Sequence, residues 1–200
     1  MKIAVSGETP GKSYSLEEIV KLIRKYGAAA IELWPENVPA GTGELVGRLY
    51  KNRDFGAARS ILDEAGVSAA CVSFGGAFDK GIVSDEALYA RELTRAVECA
   101  ERLGAKFVNH YLYYLSMEDK ADLERLKRLF APAIEKAEAA GVTLALENEA
   151  HDSTKKPEEM LRIVEAMDSK HFGINYDAVN YFQASYEGFP YAYEVLKQKI

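Results

Sequence analysis

The sequence predicts an α/β protein of the (β/α)₈-barrel type, with about six βα units in its 200 residues. Short apolar and β-branched runs alternate with longer amphipathic stretches, which is the pattern of parallel strands joined by helical crossovers. Polar residues also collect where the predicted strands end. The βα loops of a barrel converge on that face, so the second observation favours a barrel.

The elements follow one another in six repeats. The predicted strands cover residues 2–8, 28–34, 68–74, 106–113, 142–148 and 171–177. The predicted helices cover residues 15–27, 54–66, 84–104, 117–141, 154–167 and 190–200. Ser15 and Glu18 have the spacing of a capping box at the first helix. Ser84 and Thr154 are the predicted caps of two later helices, and Pro132 is expected to start a new helix or to kink the fifth.

An open, doubly wound sheet is the competing architecture. It would gather its ligand-binding residues at a single switch point, whereas here polar or glycine-rich strand ends occur in all six units. No G-x-G-x-x-G motif or P-loop follows the first strand. The barrel is therefore the preferred prediction.

Composition narrows the function classes. The formal charge of −6 and the pI near 5.3 count against a nucleic-acid binder, which usually carries a basic face. No apolar run approaches membrane-spanning length, and the apolar part of "MKIAVSGETPG" is shorter than expected for a signal peptide. Cys71 and Cys99 lie in apolar runs and are interpreted as reduced core residues. We expect a single domain over residues 1–200 and a cytoplasmic location, with neither nucleic acid nor membrane as a partner.

The stretch "LALENEA" ends an apolar run in Glu147, Asn148 and Glu149. An isolated carboxylate is costly to bury, so Glu147 either leaves the core or faces a cation or a substrate. With the following "TKKPEEMLRIVEAMDSKHFGINYDAVN", this segment resembles the xylose isomerase-like TIM barrels. That group holds sugar and sugar-phosphate isomerases and epimerases, and the related apurinic endonucleases. "AAAIELW" and "LGAKFVNHY" are weaker matches.

The resemblance implies a divalent metal held by a Glu ending strand five, an Asp ending strand six, a His on strand seven and a Glu on strand eight. The first two carry over to Glu147 and Asp177, and Glu147 is also the candidate catalytic base. Mn²⁺ is the preferred metal, with Mg²⁺, Co²⁺ or Zn²⁺ as alternatives. The resemblance implies strands seven and eight beyond Ile200. We expect one of three explanations for them: the sequence is truncated, the chain is naturally short, or another chain supplies these strands. Open sheet edges favour a homo-oligomer.

Five further residues are candidates for substrate binding: His110, Glu32, Trp34, Asn180 and His151. Strand alternation points Asn109 and His110 to opposite faces, so only one of this pair enters the barrel. Each candidate also has a structural interpretation, such as an ion pair for Glu32 or a solvated loop position for His151.

The leading functional hypothesis is a metal-dependent sugar or sugar-phosphate isomerase or epimerase that acts through an enediolate. The protein is expected to be an enzyme if the metal ligands of strands seven and eight are supplied. A non-catalytic sugar- or partner-binding relative is the alternative. An apurinic endonuclease-like phosphodiesterase comes third, because Phe74 and Asn180 stand where that group carries histidines. Ser153 and Asn180 also depart from the ketohexose 3-epimerase pattern. A small-molecule sugar is the expected partner.

Overall fold

A computed structural model describes residues 3–11, 14–45 and 49–200. Lys2, in the first predicted strand, lies outside these ranges. The described residues form one six-stranded parallel sheet, in the order β1-β2-β3-β4-β5-β6. Its strands are β1 Ala4–Ser6, β2 Ala30–Leu33, β3 Ser68–Phe74, β4 Phe107–His110, β5 Thr143–Glu147 and β6 Phe172–Asn175. A doubly wound sheet would reverse its strand order at a switch point, so the sequential order confirms the barrel-type prediction.

The helices follow the strands along the chain, and the last two come after β6. They are α1 Leu16–Lys25, α2 Phe55–Ala65, α3 Lys80–Ser84, α4 Glu86–Leu103, α5 Leu123–Ala140, α6 Pro157–Ala166, α7 Ala178–Gln183 and α8 Tyr193–Leu196. The helices that the sequence predicts are shorter in the structure than their predicted ranges. Helices α3 and α7 are absent from the sequence prediction, and α8 is much shorter than the predicted helix 190–200.

Local capping explains where several helices begin. Ser15 and Glu18 form the predicted capping box of α1. The prediction of Ser84 as a cap is wrong, because the Asp85 side chain accepts from the Leu88 amide and thereby starts α4. Helix α5 runs through Pro132 without a new start.

The prediction for Thr154 is also wrong. Asp152 caps a short 3₁₀ turn, Ser153–Lys155, and α6 then begins with Pro157 in its first turn, after Lys156. A proline at that position costs no hydrogen bond, because the first amides of a helix have no partner within the helix.

The two faces of the sheet differ in composition. On β5, Leu144 and Leu146 are fully buried under the helices, whereas Ala145 and Glu147 point to the inner face of the curved sheet. Burying one leucine side chain stabilises the fold by about 1.5–3 kcal/mol, so the helix-facing layer contributes most of the core energy. The inner face is left to carry polar groups.

The expectation that the two cysteines are reduced is confirmed. Cys71 and Cys99 are both unpaired. His171 contacts the Val142 carbonyl through Nδ1 at 2.7 Å, at the amino-terminal end of β5. In the described part of the chain, none of the helices combines the length and apolar character needed to cross a membrane.

Candidate active site

Polar side chains form a band along the carboxyl-terminal edge of the inner face. Each strand contributes one of them: Ser6, Glu32, Ser73, Asn109, Glu147 and Asn175. Pairing in register places Ser6 beside Glu32, Ser73 beside Asn109, and Glu147 beside Asn175. Because the strands are parallel and in sequential order, six segments distant in the sequence deliver polar groups to one edge.

Glu147 is the most connected member of this band. Its Oε2 accepts from Asn109 Nδ2 at 2.6 Å and from Asn175 Nδ2 at 2.7 Å, one donor from each neighbouring strand. Burial raises the pKa of Glu147 to about 7; hydrogen bonds from Asn109 and Tyr111 lower it, and the charge of Asp177 raises it. A carboxyl group with a pKa near neutrality can both take and return a proton at physiological pH.

Asp177 lies at the next strand end and has a structural role. Its Oδ1 accepts from the amides of Val179 and Asn180 at 2.7 and 3.0 Å, so it is the N-cap of α7. Its backbone exchanges two hydrogen bonds of 2.8 Å with the side chain of Asn148. The charge of Asp177 raises the pKa of Glu147, and the pairing of β5 with β6 places the two strand ends side by side.

The fit of a metal to these residues is partial. Carboxylate oxygens are suitable ligands for hard divalent ions such as Mg²⁺ and Mn²⁺. Within residues 3–11, 14–45 and 49–200, however, no group of three or more His, Cys, Asp or Glu side chains is arranged to hold a metal ion. Glu147 and Asp177 would be two ligands of a divalent metal, and the described residues do not complete its shell.

Glu32 and Trp34 reach the site from β2. Ser73 Oγ donates to Glu32 Oε1 at 2.5 Å, and Trp34 Nε1 donates to Ser6 Oγ at 3.2 Å. The indole of Trp34 stacks on the Tyr111 ring with centroids 6.1 Å apart. Both predicted residues thus lie with the polar band, and Tyr111 joins Trp34 to Glu147.

His110 lies on the other face of the sheet, which corrects the prediction of a substrate contact. Its ring packs edge-on against Phe130 of α5 and Phe172 of β6, with centroids 5.2 and 5.4 Å away. It is fully buried, and burial lowers its pKa to about 3. Asn109, its neighbour in the sequence, is the residue that enters the inner face.

Asn180 and His151 belong to the surrounding loops. Asn180 Nδ2 donates to the Asn148 carbonyl at 2.8 Å, which ties the segment after β6 to the segment after β5. His151 is exposed, and its ring lies edge-on to Tyr113 with centroids 6.4 Å apart. The structure brings neither side chain into hydrogen-bond contact with Glu147.

Buried Asp152 links two of the loops that surround the site. Its Oδ2 accepts from the Tyr113 amide at 2.7 Å, and its Oδ1 accepts from Thr154. Burial raises the pKa of Asp152 to about 6. The loop after β4 and the loop after β5 are therefore held together beside the aromatic residues of the site.

Sequence reasoning missed Ser73 and Asn175 as contacting residues, and it left open whether Asn109 or His110 enters the inner face. Asn175 could have been found, because it precedes Asp177 by two positions at the end of the same strand, in register with Glu147. Ser73 carries no comparable signal, since hydroxyl groups also occur commonly in packed strands.

Comparisons with known proteins agree with this architecture. A family model described as xylose isomerase-like TIM barrel matches residues 20–200. None of the curated proteins matches the chain. Similar solved structures include a D-tagatose 3-epimerase-like protein with a TM-score of 0.70 and 21% identity, covering 100% of this chain and 72% of that one.

Two further solved structures resemble the chain. The IolI protein, described with a binding zinc atom, has a TM-score of 0.69 and 19% identity, over 99% of this chain and 68% of that one. A sugar phosphate isomerase/epimerase from Parabacteroides distasonis has a TM-score of 0.68 and 15% identity, over 100% of this chain and 72% of that one. At these identities the structural likeness establishes the fold.

Proposed function

Since the chain belongs to the xylose isomerase-like TIM barrel family, we propose that it is a sugar or sugar-phosphate isomerase or epimerase that transfers a proton next to a carbonyl group. The observation that carries this proposal is Glu147, whose pKa is raised to about 7 at the edge where the strand ends converge. Its neighbour Asp177 adds a second carboxylate at the same edge. The names of the similar structures support the same reaction class.

In the proposed reaction, Glu147 removes the proton from the carbon next to the carbonyl. The product of this step is an enediolate, and protonated Glu147 completes an isomerisation by returning the proton to the neighbouring carbon. An epimerisation requires a second acid that delivers a proton to the opposite face. A base with a pKa near the working pH is well matched to both steps. The amide groups of Asn109 and Asn175 hold the carboxylate from both sides, so its orientation is set before substrate binds.

Glu147 and Asp177 are also the proposed ligands of a divalent metal, Mn²⁺ first and Mg²⁺, Co²⁺ or Zn²⁺ as alternatives. When bound, such a cation supplies electrostatic stabilisation for the negative charge that develops on the substrate oxygens. The zinc named for the IolI structure supports a metal in a protein of this fold. Glu32 and Trp34 are the proposed substrate contacts, and the proposed substrate is a small sugar. Asn180 and His151 are proposed to act on the site through the loops that carry them.

One observation favours a second function, a sugar-binding protein without catalysis. In the described part of the chain, no cluster of three metal-ligating side chains forms around Glu147 and Asp177. A protein of this kind would bind sugars without exchanging their protons, so proton exchange separates the two functions.

The test is exchange of substrate protons with D₂O, measured by NMR over a panel of aldoses, ketoses and their phosphates, with Mn²⁺ or with EDTA. We expect exchange that requires the metal and falls by roughly 10²–10⁴-fold in Glu147→Gln. Asp177→Asn should lose metal while keeping α7, because Asn is as good an N-cap as Asp. Glu64→Gln, at an exposed position of α2, is the charge-matched control. Exchange that persists in Glu147→Gln would refute the assignment.

A further inference from the structure

The loop after β4 contains a strained residue. Tyr113 has a φ of +25°, in a region that residues with a side chain rarely adopt. Such a conformation costs free energy and persists only where the surrounding structure holds it. Strained backbone of this kind is common at functional sites, and Tyr113 follows Tyr111 by two positions at the carboxyl-terminal edge of the sheet. The group that holds Tyr113 is therefore a candidate for a role in the site.

The carboxylate of Asp152 holds Tyr113 in this conformation. Its Oδ2 accepts from the Tyr113 amide at 2.7 Å, and its Oδ1 accepts from the amide and the hydroxyl of Thr154 at 2.7 and 2.6 Å. The side chain is fully buried, and a backbone hydrogen bond of 2.9 Å from Ser153 to Ser116 reinforces the link. Three donors thus meet one carboxylate between the loops after β4 and β5.

Only an ionised carboxyl group can accept all three hydrogen bonds. Both of its oxygens are acceptors, whereas a side-chain amide has one acceptor oxygen and one donor nitrogen. The substitution Asp152→Asn would therefore direct an NH₂ group at the Tyr113 amide or at Thr154. Burial raises the pKa of Asp152 to about 6, so at pH 7 the carboxyl group is still mostly ionised and both of its oxygens accept.

Packed aromatic rings connect Tyr113 to the candidate base. The Phe78 ring contacts the rings of Tyr113 and Tyr111, with centroids 5.0 and 4.7 Å away. The Tyr111 hydroxyl accepts from Asn109 Nδ2 at 2.8 Å, and the same amide group donates to Glu147 Oε2 at 2.6 Å. A displaced Tyr113 would therefore move Tyr111 and release one side of the Asn109 amide.

We propose that Asp152 is a positioning residue for Glu147: it holds the loop after β4 in its strained form and thereby keeps Tyr111 and Asn109 in place beside that carboxylate. This inference rests on the proposed function in one respect, that Glu147 is the base. In the described part of the chain, Asp152 bonds to the two loops and not to Glu147 itself, so its action on the base is indirect.

Nitrogen-15 NMR of the protein without substrate tests the positioning directly. We expect Asp152→Asn to shift the side-chain amide signals of Asn109, because the Tyr111 hydroxyl moves away from that amide. Asn109→Leu assigns these signals, since its spectrum lacks them. The matched control is Glu92→Gln, which changes another fully buried carboxylate that accepts from a loop amide, that of Lys51 at 2.9 Å. The control should lower the stability and leave the Asn109 signals unchanged.

The rate of proton exchange is the second readout. For the sugar that exchanges fastest in the D₂O panel, kcat should fall by roughly 10–10²-fold in Asp152→Asn, as expected when a reacting group is misplaced by about 1 Å. KM should change little, because the proposed substrate contact Glu32 lies on β2 and keeps its hydrogen bond from Ser73. Glu92→Gln should exchange at the wild-type rate, whereas a loss of stability alone would affect the two variants alike.

Two variants of Thr154 cover the case in which Asp152→Asn does not fold. Thr154→Val removes the hydroxyl that donates to Asp152, and it should shift the Asn109 signals by a smaller amount. Thr154→Ser keeps the hydroxyl and should restore the wild-type spectrum.

Unchanged Asn109 signals in a folded Asp152→Asn or in Thr154→Val would overturn the proposal, and so would an equal shift in Glu92→Gln. Shifted Asn109 signals with wild-type exchange would overturn it as well, because the displaced groups would then not matter to the base. A wild-type protein without any D₂O exchange would refute the proposed catalysis, whereas the Asn109 signals would still decide whether Asp152 positions the groups beside Glu147.

Discussion

Asn109 and His110 are adjacent in β4 and have opposite surroundings. Asn109 faces the inner side of the sheet and donates to Glu147 on the neighbouring strand. His110 faces α5, where it contacts Phe130 and Phe172 and finds no hydrogen-bond partner for either ring nitrogen among the described residues. Both are buried polar residues, yet one belongs to a hydrogen-bond network and the other to an aromatic cluster.

This contrast teaches that burial of a polar residue does not by itself identify a site. The inner face combines carboxylates with amide and hydroxyl groups that form hydrogen bonds with one another. The helix-facing layer holds a histidine whose surroundings keep it neutral, since burial lowers its pKa to about 3. The inner face is thus suited to chemistry and the outer face to stability, and four variants test this division.

The largest expected effect is on the helix-facing layer. Phe130→Ala removes a fully buried ring that packs against His110, Tyr89 and Phe172. We expect the free energy of unfolding to fall by about 3–5 kcal/mol, measured by urea denaturation. The pKa of Glu147 should stay unchanged in an NMR titration, because the ring lies on the other side of the sheet. A shifted Glu147 pKa would show that the two faces are coupled.

Asn109→Leu tests the inner face. It removes a donor to the partly buried Glu147 carboxylate, so the free energy of unfolding should fall by roughly 1.5–3 kcal/mol near pH 7. Because the Asn109 hydrogen bond lowers the pKa of Glu147, that pKa should rise further in the variant. Carbon-13 NMR of the Glu147 carboxyl group measures it. A pKa that falls or stays constant would contradict the described hydrogen bond.

His110 should make the protein sensitive to acid. Its folded pKa of about 3 lies below the unfolded value of about 6.5, so the unfolded state binds the proton first. The stability is therefore fully present above about pH 6.5 and is lost as the pH falls towards 3, at up to roughly 1.4 kcal/mol per pH unit.

His110→Leu should remove that dependence. The difference in unfolding free energy between variant and wild type should then grow by roughly 2 kcal/mol from pH 7 to pH 5, in favour of the variant. Urea denaturation at both pH values measures this difference, and effects of other titrating groups cancel in the comparison. Equal pH dependence of the two proteins would mean that His110 is protonated, or partnered, in the folded state.

The smallest expected effect belongs to the loops. Asn180→Ala loses one hydrogen bond to the Asn148 carbonyl, which is worth about 1 kcal/mol in the free energy of unfolding. Asp177 keeps its own bonds to Asn148, so the loops after β5 and β6 should remain tied. Hydrogen exchange at the Asn148 and Asp177 amides would reveal a larger loosening if Asn180 holds the site by itself.

Much of the framework could be predicted because local patterns determine it. Alternating apolar runs and amphipathic helices specify the order of the βα units, and Ser15 with Glu18 specifies the start of α1. The positions of Glu147 and Asp177 follow from the same patterns, since parallel strands bring their carboxyl ends to one edge. The helix boundaries near Asp85 and Asp122 were harder, because several acidic or hydroxyl residues there are equally good caps.

The sequence by itself determined that Asn109 and His110 point to opposite sides, because successive residues of a strand always do. Only the tertiary structure decided which side each one takes. That choice depends on which face α5 covers, and the packing of Phe130 against Phe172 settles it through contacts between distant segments. The donors to Glu147 were decided in the same way, since Asn109 and Asn175 meet it only when three strands align in register.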